Sequence, residues 1–545
     1  MSSTSRRSFI RGAGLAGAAI VVAPEALAEG VDPRAFSSAG GRFAEGVISG
    51  DPTTTGINLW TRLAGASGTV KVGLEVATDK GFRKVVARRK IAATAASGYS
   101  VKAQVTGLKP YEQYYYRFST SKTESDVGRF RTALPADSNE KVRFAFFSCQ
   151  DFTFGYYNAH AAMAADDLDF VVNLGDYIYA EAYNSTKTNG VRNDPIGESR
   201  TLEQYRRKYA LYRSDANLRK MHAKFPMIST WDDHEVVDNY AGGAGASGGL
   251  APEKGYSVAR QQAGYKAFFE SMPTYPVAGG PGQRIYRSHR FGKHVELVML
   301  DLRQYREDQP LGDKQVVDVS DPAVRDELAA PRQMLGQPQL DFLKATLRDS
   351  TATWKVIGNE DMFMNTKLTA SQDYNVDDWS GYLHQRNEIL NFIRDNAIRD
   401  VVAVTGDIHT FAAGGVRIND DDTESVMTEF VGGSISSQGL GDGGLAALGF
   451  GSKSDATTPF PHTGEAIYKI LLGSNPWLVN GDVDHHGYGR VTADGSGFKC
   501  DLVRMQTIKK KSTVKMPLND PAGKPWNGID GTFSWTVRPG TAGLK

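Results

Sequence analysis

The chain has 545 residues, a length that favours two or more domains and allows a large hydrophobic core. Its 63 lysine and arginine residues nearly balance 62 aspartate and glutamate residues, so the composition gives no basic field that would point to a nucleic-acid partner. Charged residues make up 23% and hydrophobic residues 40%, which excludes a disordered protein, and two cysteines alone exclude a disulfide framework.

Residues 1–28 have the pattern of a twin-arginine export signal. Arg6 and Arg7 precede a Gly- and Ala-rich apolar stretch, and Ala26 to Ala28 offer a small-residue cleavage site. A basic disordered tail and a membrane anchor are the alternatives, but the stretch is short for a spanning helix, which needs roughly 20 apolar residues. We therefore predict export by the twin-arginine machinery to the periplasm or the medium, without a stable membrane anchor.

Residues 40–134 predict an N-terminal β-sandwich. Residues 57–63 and 70–76 alternate in polarity, and turn residues recur at short spacing, as is typical of such a fold. The tyrosine-rich stretch 108–118 resembles the tyrosine corner of fibronectin type III-like domains, and its aromatic side chains are expected to fill the core. The polar segment 133–138 contains a proline and predicts a linker.

Residues 140–520 alternate short apolar runs with amphipathic patterns, which predicts a layered α/β domain. The predicted strands are 142–147, 170–174, 227–230, 295–300, 354–357 and 401–404, and the predicted helices are 202–212, 258–272, 338–348 and 384–396. Residues 489–504 predict a hairpin, residues 240–255 predict a mobile loop, and residues 521–545 are interpreted as a C-terminal tail.

Side chains that can bind metals lie at the ends of five predicted strands. They are Cys149, Asp176 with Tyr179, Asp233 with His234, Asn359, and Asp407 with His409. The carboxyl ends of strands are where an open α/β sheet binds its ligands. Carboxylate, imidazole and thiolate groups are all metal donors, so the sequence predicts one metal-centred site at this edge.

Taken in order, these motifs resemble those of the calcineurin-like metallophosphoesterases, and the Gly-Asp-x-x-Tyr form at Gly175 is shared with purple acid phosphatases. With the export signal and the N-terminal sandwich, they resemble the PhoD family of exported alkaline phosphatases. The resemblance implies an α/β fold, a four-layer α/β/β/α metallophosphoesterase sandwich formed by residues 140–520 and preceded by a fibronectin III-like β-sandwich. It implies hydrolysis of small phosphomonoesters, with phosphodiesters such as nucleotide diesters as further candidate substrates. The family includes enzymes described as phospholipase D, so action on phospholipid head groups is the alternative.

The chain departs from the superfamily pattern at its ligand positions. Cys149 stands where an aspartate is usual, Asn359 where a histidine is usual, and Asp407 where the last motif has its first histidine. One metal position then gathers Cys149, Asp176, Tyr179 and His409, for which the resemblance implies Fe3+. The other gathers the oxygen donors Asp176, Asp233, Asn359 and Asp407, which suit Ca2+. Asp176 would bridge the two metals, and Mn2+ stays open at either position.

Two further residues are candidates for catalysis. His234 follows the ligand Asp233 and is expected to steady the transition state or to protonate the leaving alkoxide. Arg303 ends another predicted strand, and its planar guanidinium suits phosphate, although a core arginine paired with Asp301 is an equal alternative.

Three other interpretations compete with this assignment. Cys149 could instead be an ordinary buried cysteine or pair with Cys500, but its place at a strand end favours metal binding. A non-catalytic surface-binding protein is the last alternative, and the ordered series of ligand-bearing strand ends argues against it.

Overall fold

The structure is a computed structural model that describes residues 40–188, 190–242, 255–278, 283–442, 471–511 and 529–544. The predicted export signal and most of the predicted mobile loop lie outside the described residues. Within those ranges, no helix combines the length and the apolar character that crossing a membrane requires.

The first seven strands are β1 (Val47–Gly50), β2 (Gly56–Arg62), β3 (Val70–Ala77), β4 (Val85–Ala93), β5 (Ser100–Thr106), β6 (Gln113–Ser119) and β7 (Gly128–Arg131). They form the predicted sandwich, in which the sheet β4-β3-β6-β7 packs against β1, β2 and β5. Its core includes the buried side chains of Leu59, Val72, Tyr116 and Phe118. The predicted role of the tyrosine-rich stretch as core is therefore confirmed for Tyr116.

The remaining strands are β8 (Val142–Phe147), β9 (Phe170–Leu174), β10 (Pro226–Thr230), β11 (Arg287–Phe291), β12 (Val295–Met299), β13 (Val316–Asp318), β14 (Trp354–Asn359), β15 (Lys367–Thr369), β16 (Gln372–Tyr374), β17 (Val401–Thr405), β18 (Phe411–Val416), β19 (Met427–Gly432), β20 (Leu478–Asp482), β21 (His486–Ala493), β22 (Phe498–Met505) and β23 (Ile529–Val537). The helices are α1 (Asn158–Ala165), α2 (Leu202–Tyr212), α3 (Ala216–Lys224), α4 (Val258–Ser271), α5 (Pro322–Ala329), α6 (Gly336–Asp349) and α7 (Leu383–Asp395). The predicted α/β strands and helices are present, with ends shifted by two residues at most.

Two large sheets pack face to face. The nine-stranded sheet has the order β23-β22-β21-β8-β9-β10-β1-β2-β5, and the seven-stranded sheet has the order β11-β12-β14-β17-β19-β18-β20. Strands β8, β9 and β10 run parallel in the first, as do β12, β14, β17 and β19 in the second. Alternate side chains of both sheets, such as Phe144, Val172, Val356 and Val402, form the core between them.

Helices cover the outer face of each sheet. Met163 of α1, Leu218 of α3 and Phe268 of α4 pack on the nine-stranded sheet. On the seven-stranded sheet, α6 buries Leu340, Leu343 and Leu347, whose spacing of three and four residues defines one helical face. The predicted α/β/β/α order of four layers is thereby confirmed.

Two features of this architecture differ from the expected division into domains. Strand β1 pairs in parallel with β10, so one sheet of the N-terminal sandwich continues into the α/β domain across the predicted linker. The segment interpreted as a tail contains β23, which pairs along its length with β22 at the sheet edge. Cys500 lies in β22 within the core between the sheets, and both cysteines are free, so the disulfide alternative fails.

Candidate metal centre

The carboxyl ends of the parallel strands in both sheets meet at one edge of the molecule. Strand β8 leads to Cys149, β9 to Asp176, β10 to Asp233 and β17 to Asp407, while Asn359 is the last residue of β14. Ligand atoms of these strand ends form overlapping groups within 4.8 Å, among them Cys149–Asp176–His409 and Asp232–Asp233–Asp407. The predicted metal-binding side chains from different motifs are thus brought together.

The turns that carry these side chains have an unusual backbone. Cys149, Asp176, Asp407 and His409 have φ between 51° and 59°, a region that residues other than glycine seldom adopt. Gly175 has φ of 101°, and a Cβ there would lie 2.3 Å from the Cβ of Asp232. The strand ends therefore curl sharply, which turns the side chains toward one another.

The buried carboxylate of Glu235 holds two of these turns. It accepts hydrogen bonds from the backbone N–H groups of Asp176 at 3.0 Å, Tyr177 at 2.7 Å and Asp232 at 2.8 Å. Glu235 thus connects the end of β9 to the end of β10 and fixes the distance between Asp176 and Asp233. The sequence alone left Glu235 without an assigned role.

The first donor group consists of Cys149, Asp176, Tyr179 and His409. The Tyr179 hydroxyl lies 2.9 Å from Asp176 Oδ2 and 2.9 Å from His409 Nε2. Because His409 Nδ1 lies 2.7 Å from the Gln438 carbonyl and donates to it, Nε2 presents a lone pair to the site. The single hydroxyl proton can be donated to only one of these two acceptors. A cation bound between the side chains would satisfy the lone pairs of both.

The electrostatics of this group favour a cation as well. Burial raises the pKa of the Cys149 thiol and of the Tyr179 phenol well above their usual values, and the Asp176 carboxylate raises both further. Burial lowers the pKa of His409 to about 4, which keeps the imidazole neutral, as a metal ligand must be. A bound cation would lower the pKa values of the Cys149 thiol, the Tyr179 phenol and the Asp176 carboxyl group, because it favours their charged forms.

The second donor group consists of oxygen atoms. Asp233 Oδ2 accepts a hydrogen bond from the Asn239 backbone N–H at 2.6 Å, while the buried Oδ1 has no hydrogen-bond partner. A buried carboxylate oxygen without a hydrogen bond is costly, and because Arg303 Nη2 lies 3.7 Å away, beyond hydrogen-bonding distance, a bound metal ion would satisfy it more fully. Burial raises the pKa of Asp407 well above its usual value, and the nearby Asp232 adds to the shift. This group suits a hard cation.

The amide group of Asn359 already makes three hydrogen bonds within the protein. Its Oδ1 accepts a hydrogen bond from the Trp379 indole at 3.0 Å, and its Nδ2 donates to the Asp361 carbonyl and to Thr405 Oγ1. The amide oxygen keeps one lone pair for a metal.

Arg303 lies beneath the oxygen group and is fully buried. Its guanidinium donates to the carboxylates of Asp232, Asp377 at 2.7 Å and Asp361 at 2.9 Å. Asp301 does not pair with this guanidinium, because its carboxylate accepts from the Trp231 indole and the Gln304 amide instead. Arg303 therefore has the surroundings of a core arginine, with carboxylates other than the neighbour expected from sequence.

The arginine also approaches the predicted ligands. Arg303 Nη2 lies 3.6 Å from Asp407 Oδ1 and 3.7 Å from Asp233 Oδ1. Arg306 adds a second guanidinium, which pairs with Asp361 and Asp377. Two guanidinium groups do not balance the carboxylates of this cluster, which are Asp176, Asp232, Asp233, Asp361, Asp377 and Asp407. Ionising all six carboxylates therefore requires further positive charge, which bound cations would supply.

His234 lies at the rim of the centre. Its Nδ1 is 2.8 Å from Glu181 Oε2, its Nε2 is 3.9 Å from Asp233 Oδ2, and its ring stacks on Tyr179 at 4.1 Å between centroids. Burial alone would lower the pKa of His234, but Asp233, Asp176 and Glu181 together raise it well above the usual value. With Nδ1 directed to Glu181, Nε2 is the atom available to a substrate.

Comparisons with known proteins agree with this arrangement. A family model described as PhoD-like phosphatase matches residues 144–502, and one described as PhoD-like phosphatase, N-terminal domain, matches residues 29–134. The chain belongs to the PhoD-like phosphatase family. Alkaline phosphatase D of Bacillus subtilis (strain 168) is 39% identical over 463 residues, covering 80% of this chain and 77% of the relative.

Solved structures extend the comparison. A structure of PhoD superposes with a TM-score of 0.77 at 35% identity, covering 92% of this chain and 91% of the other. Purple acid phosphatase PPD1 from yellow lupin seeds shares the fold, with a TM-score of 0.54 at 12% identity over 90% of this chain and 73% of its own. The chain is therefore a phosphoric ester hydrolase, and the surface-binding alternative was wrong.

Besides Asp232 and Glu235, three acidic residues of this PhoD-like phosphatase centre were absent from the predicted site. Glu181 follows the Gly-Asp-x-x-Tyr motif by two residues and contacts His234. Asp361 directly follows Asn359 and Glu360, and that proximity was the available signal. Asp377 comes from the loop after β16, where no motif marks it, and only the tertiary fold brings it to Arg303.

Proposed function

We propose that this PhoD-like phosphatase is an exported alkaline phosphatase that hydrolyses phosphomonoesters, with phosphodiesters as secondary substrates. The observation that carries the proposal is the pair of adjoining donor groups, one containing thiol, phenol and imidazole and the other built from oxygen atoms. The name of the Bacillus relative supports the activity. The twin-arginine pattern at Arg6 and Arg7 supports export to the periplasm or the medium.

Under this proposal each donor group holds one metal. Cys149, Tyr179 and His409 would hold Fe3+, and Asp233, Asp407 and the remaining lone pair of Asn359 would hold Ca2+. Asp176 would serve both, because its carboxylate lies close to Cys149 and His409 and also close to Asp233. Mn2+ remains an alternative occupant of either position. When bound, the two cations would neutralise the charge of the ester and lower the pKa of water, so that hydroxide is available to attack phosphorus.

The residues around the metals would orient the reaction. Arg303 would hold Asp232, Asp361 and Asp377 in place and limit the negative charge near the ester, a positioning role without direct contact to phosphate. His234 would direct Nε2 at the leaving oxygen and donate a proton to it, while Glu181 fixes the ring through Nδ1. The carboxylates around His234 favour the protonated imidazolium that this role needs.

The metal content of the mature protein tests the proposal. We expect iron and calcium after purification from an exporting host without added metals, with faster hydrolysis at alkaline pH of p-nitrophenyl phosphate than of bis(p-nitrophenyl) phosphate or phosphatidylcholine. The variant Cys149→Ser should lose iron and keep calcium, because its hydroxyl is a poor substitute for thiolate.

Other results would change the conclusion in defined ways. Zinc or manganese alone would contradict the assignment of the two donor groups but not the hydrolase. Choline release that exceeds monoester hydrolysis would favour the phospholipase D alternative. A metal-free protein that iron and calcium do not activate would contradict the proposal.

His234 gives a second test. His234→Asn should lower kcat on an alkyl phosphate by about 100-fold, the lower range for loss of a general acid, while iron and calcium content stay unchanged. His384→Asn makes the same chemical change at an exposed position of α7 and should leave kcat within about 2-fold, as expected for a surface substitution. Unchanged turnover in His234→Asn would remove this residue from the mechanism.

A further inference from the structure

Tyr183 stands out at the rim of the metal centre. It is 54% exposed. The other exposed large hydrophobic side chains of the described residues are all valines. Its ring meets the His234 ring edge-to-face, with 5.7 Å between centroids and an interplanar angle of 81°. It also lies 6.4 Å from the Tyr179 ring. An exposed aromatic side chain therefore lies directly beside the imidazole that is proposed to protonate the leaving oxygen.

The backbone on both sides of Tyr183 is anchored. The carbonyl of Glu181 accepts a hydrogen bond from the buried Lys208 ammonium at 3.0 Å, and the Glu181 carboxylate binds His234. On the other side, the Asn184 side chain donates to Asp151 Oδ2 at 3.3 Å. The ring is thus held at the rim while much of its surface stays open to solvent.

We propose that Tyr183 determines substrate preference by packing against the leaving group of the ester. This inference rests on the phosphatase function proposed above. A leaving group attached to the oxygen that His234 protonates must extend past the Tyr183 ring, since the two rings are in contact. A planar or apolar leaving group would cover the exposed ring, whereas a small alkyl group would not reach it. The favoured substrates are therefore phosphomonoesters whose alcohol carries an aromatic ring.

The accessibility of the ring agrees with this role, because Tyr183 is 54% exposed and can be covered by a ligand. Aromatic pairs gain stability beyond the area they bury, so the contact would favour an aromatic over a saturated ring.

The test compares esters that differ in the leaving group alone. Benzyl, cyclohexylmethyl and ethyl phosphate all release a primary alcohol, so the demand on the general acid is similar. We expect Tyr183→Ala to lower kcat/KM for benzyl phosphate by about 3- to 10-fold, mainly through KM, with a smaller loss for the cyclohexylmethyl ester and less than about 2-fold for ethyl phosphate. Tyr183→Phe keeps the ring and should behave as the parent enzyme with all three.

A binding measurement keeps the result independent of turnover. Calorimetry with benzylphosphonate, which is not hydrolysed, should show weaker binding to Tyr183→Ala and unchanged binding to Tyr183→Phe. Equal losses on benzyl and ethyl phosphate, or no loss on benzyl phosphate, would overturn the inference. If the parent enzyme hydrolysed none of the esters, the proposed phosphatase function itself would fail, so the two failures are distinguishable.

Discussion

Replacing Asp176 by asparagine should abolish most activity, with a fall in kcat/KM of about 10³-fold or more for phosphomonoesters. Among the described residues, Asp176 is the side chain shared by the group with Cys149 and His409 and the group with Asp233 and His234. An amide of the same size keeps one acceptor oxygen but loses the negative charge and the second anionic oxygen. Both metals would therefore be bound more weakly, and the charge of the ester would no longer be neutralised.

The measurement is metal content together with kinetics on the same preparation. Asp169→Asn serves as the matched control, because Asp169 is a largely buried aspartate that precedes the amino end of the same strand, β9, where it pairs with Arg131 at 3.2 Å. We expect the control to keep iron, calcium and at least about a third of the activity. An Asp176→Asn enzyme with full metal content and normal turnover would contradict the shared-ligand assignment.

Much of the fold follows from local sequence patterns. Several parallel strands are short apolar runs that end at a glycine or a polar residue, such as Val401 to Val404 before Gly406, and these ends are visible in the sequence. Strand β19, which contains Thr428 and Glu429, was not predicted. Amphipathic spacing similarly marks α6 through Leu340, Leu343 and Leu347. Because parallel strands align their carboxyl ends, the order of motifs also predicts that the ligand residues meet.

Contacts between distant segments were the part that sequence did not reveal. The pairing of β1 with β10 joins the two predicted domains through Ser49 and Gly50, and a short parallel pairing leaves no local pattern. The partners of Arg303 illustrate the same limit. Proximity in sequence suggested Asp301, whereas the guanidinium pairs with carboxylates 58 to 74 positions away. Such choices depend on which loops the sheets bring together.

Replacing Arg303 by methionine should lower the free energy of unfolding by about 3–5 kcal/mol when metals are removed by a chelator. The substitution preserves an unbranched apolar stem but leaves the buried carboxylate of Asp232 without its counter-charge, and it leaves Asp361 and Asp377 with Arg306 alone. Arg348→Met is the matched control, since Arg348 pairs with Asp349 on the exposed surface of α6. That change should cost no more than about 1 kcal/mol. Urea titrations followed by circular dichroism would measure both.

A second substitution and added calcium distinguish a loss of charge balance in Arg303→Met from a loss of packing. Adding Asp232→Asn to Arg303→Met removes the carboxylate that is left unpaired and should recover part of the lost stability, whereas a packing defect would not be repaired by an uncharged side chain of equal size. Calcium should also stabilise Arg303→Met more than the parent protein, because Asp233 and Asp407 lose a cation that lies 3.6–3.7 Å away. If neither addition restored stability, Arg303 would be a packing residue, and the surplus negative charge of the centre would have to be balanced by the bound metals alone.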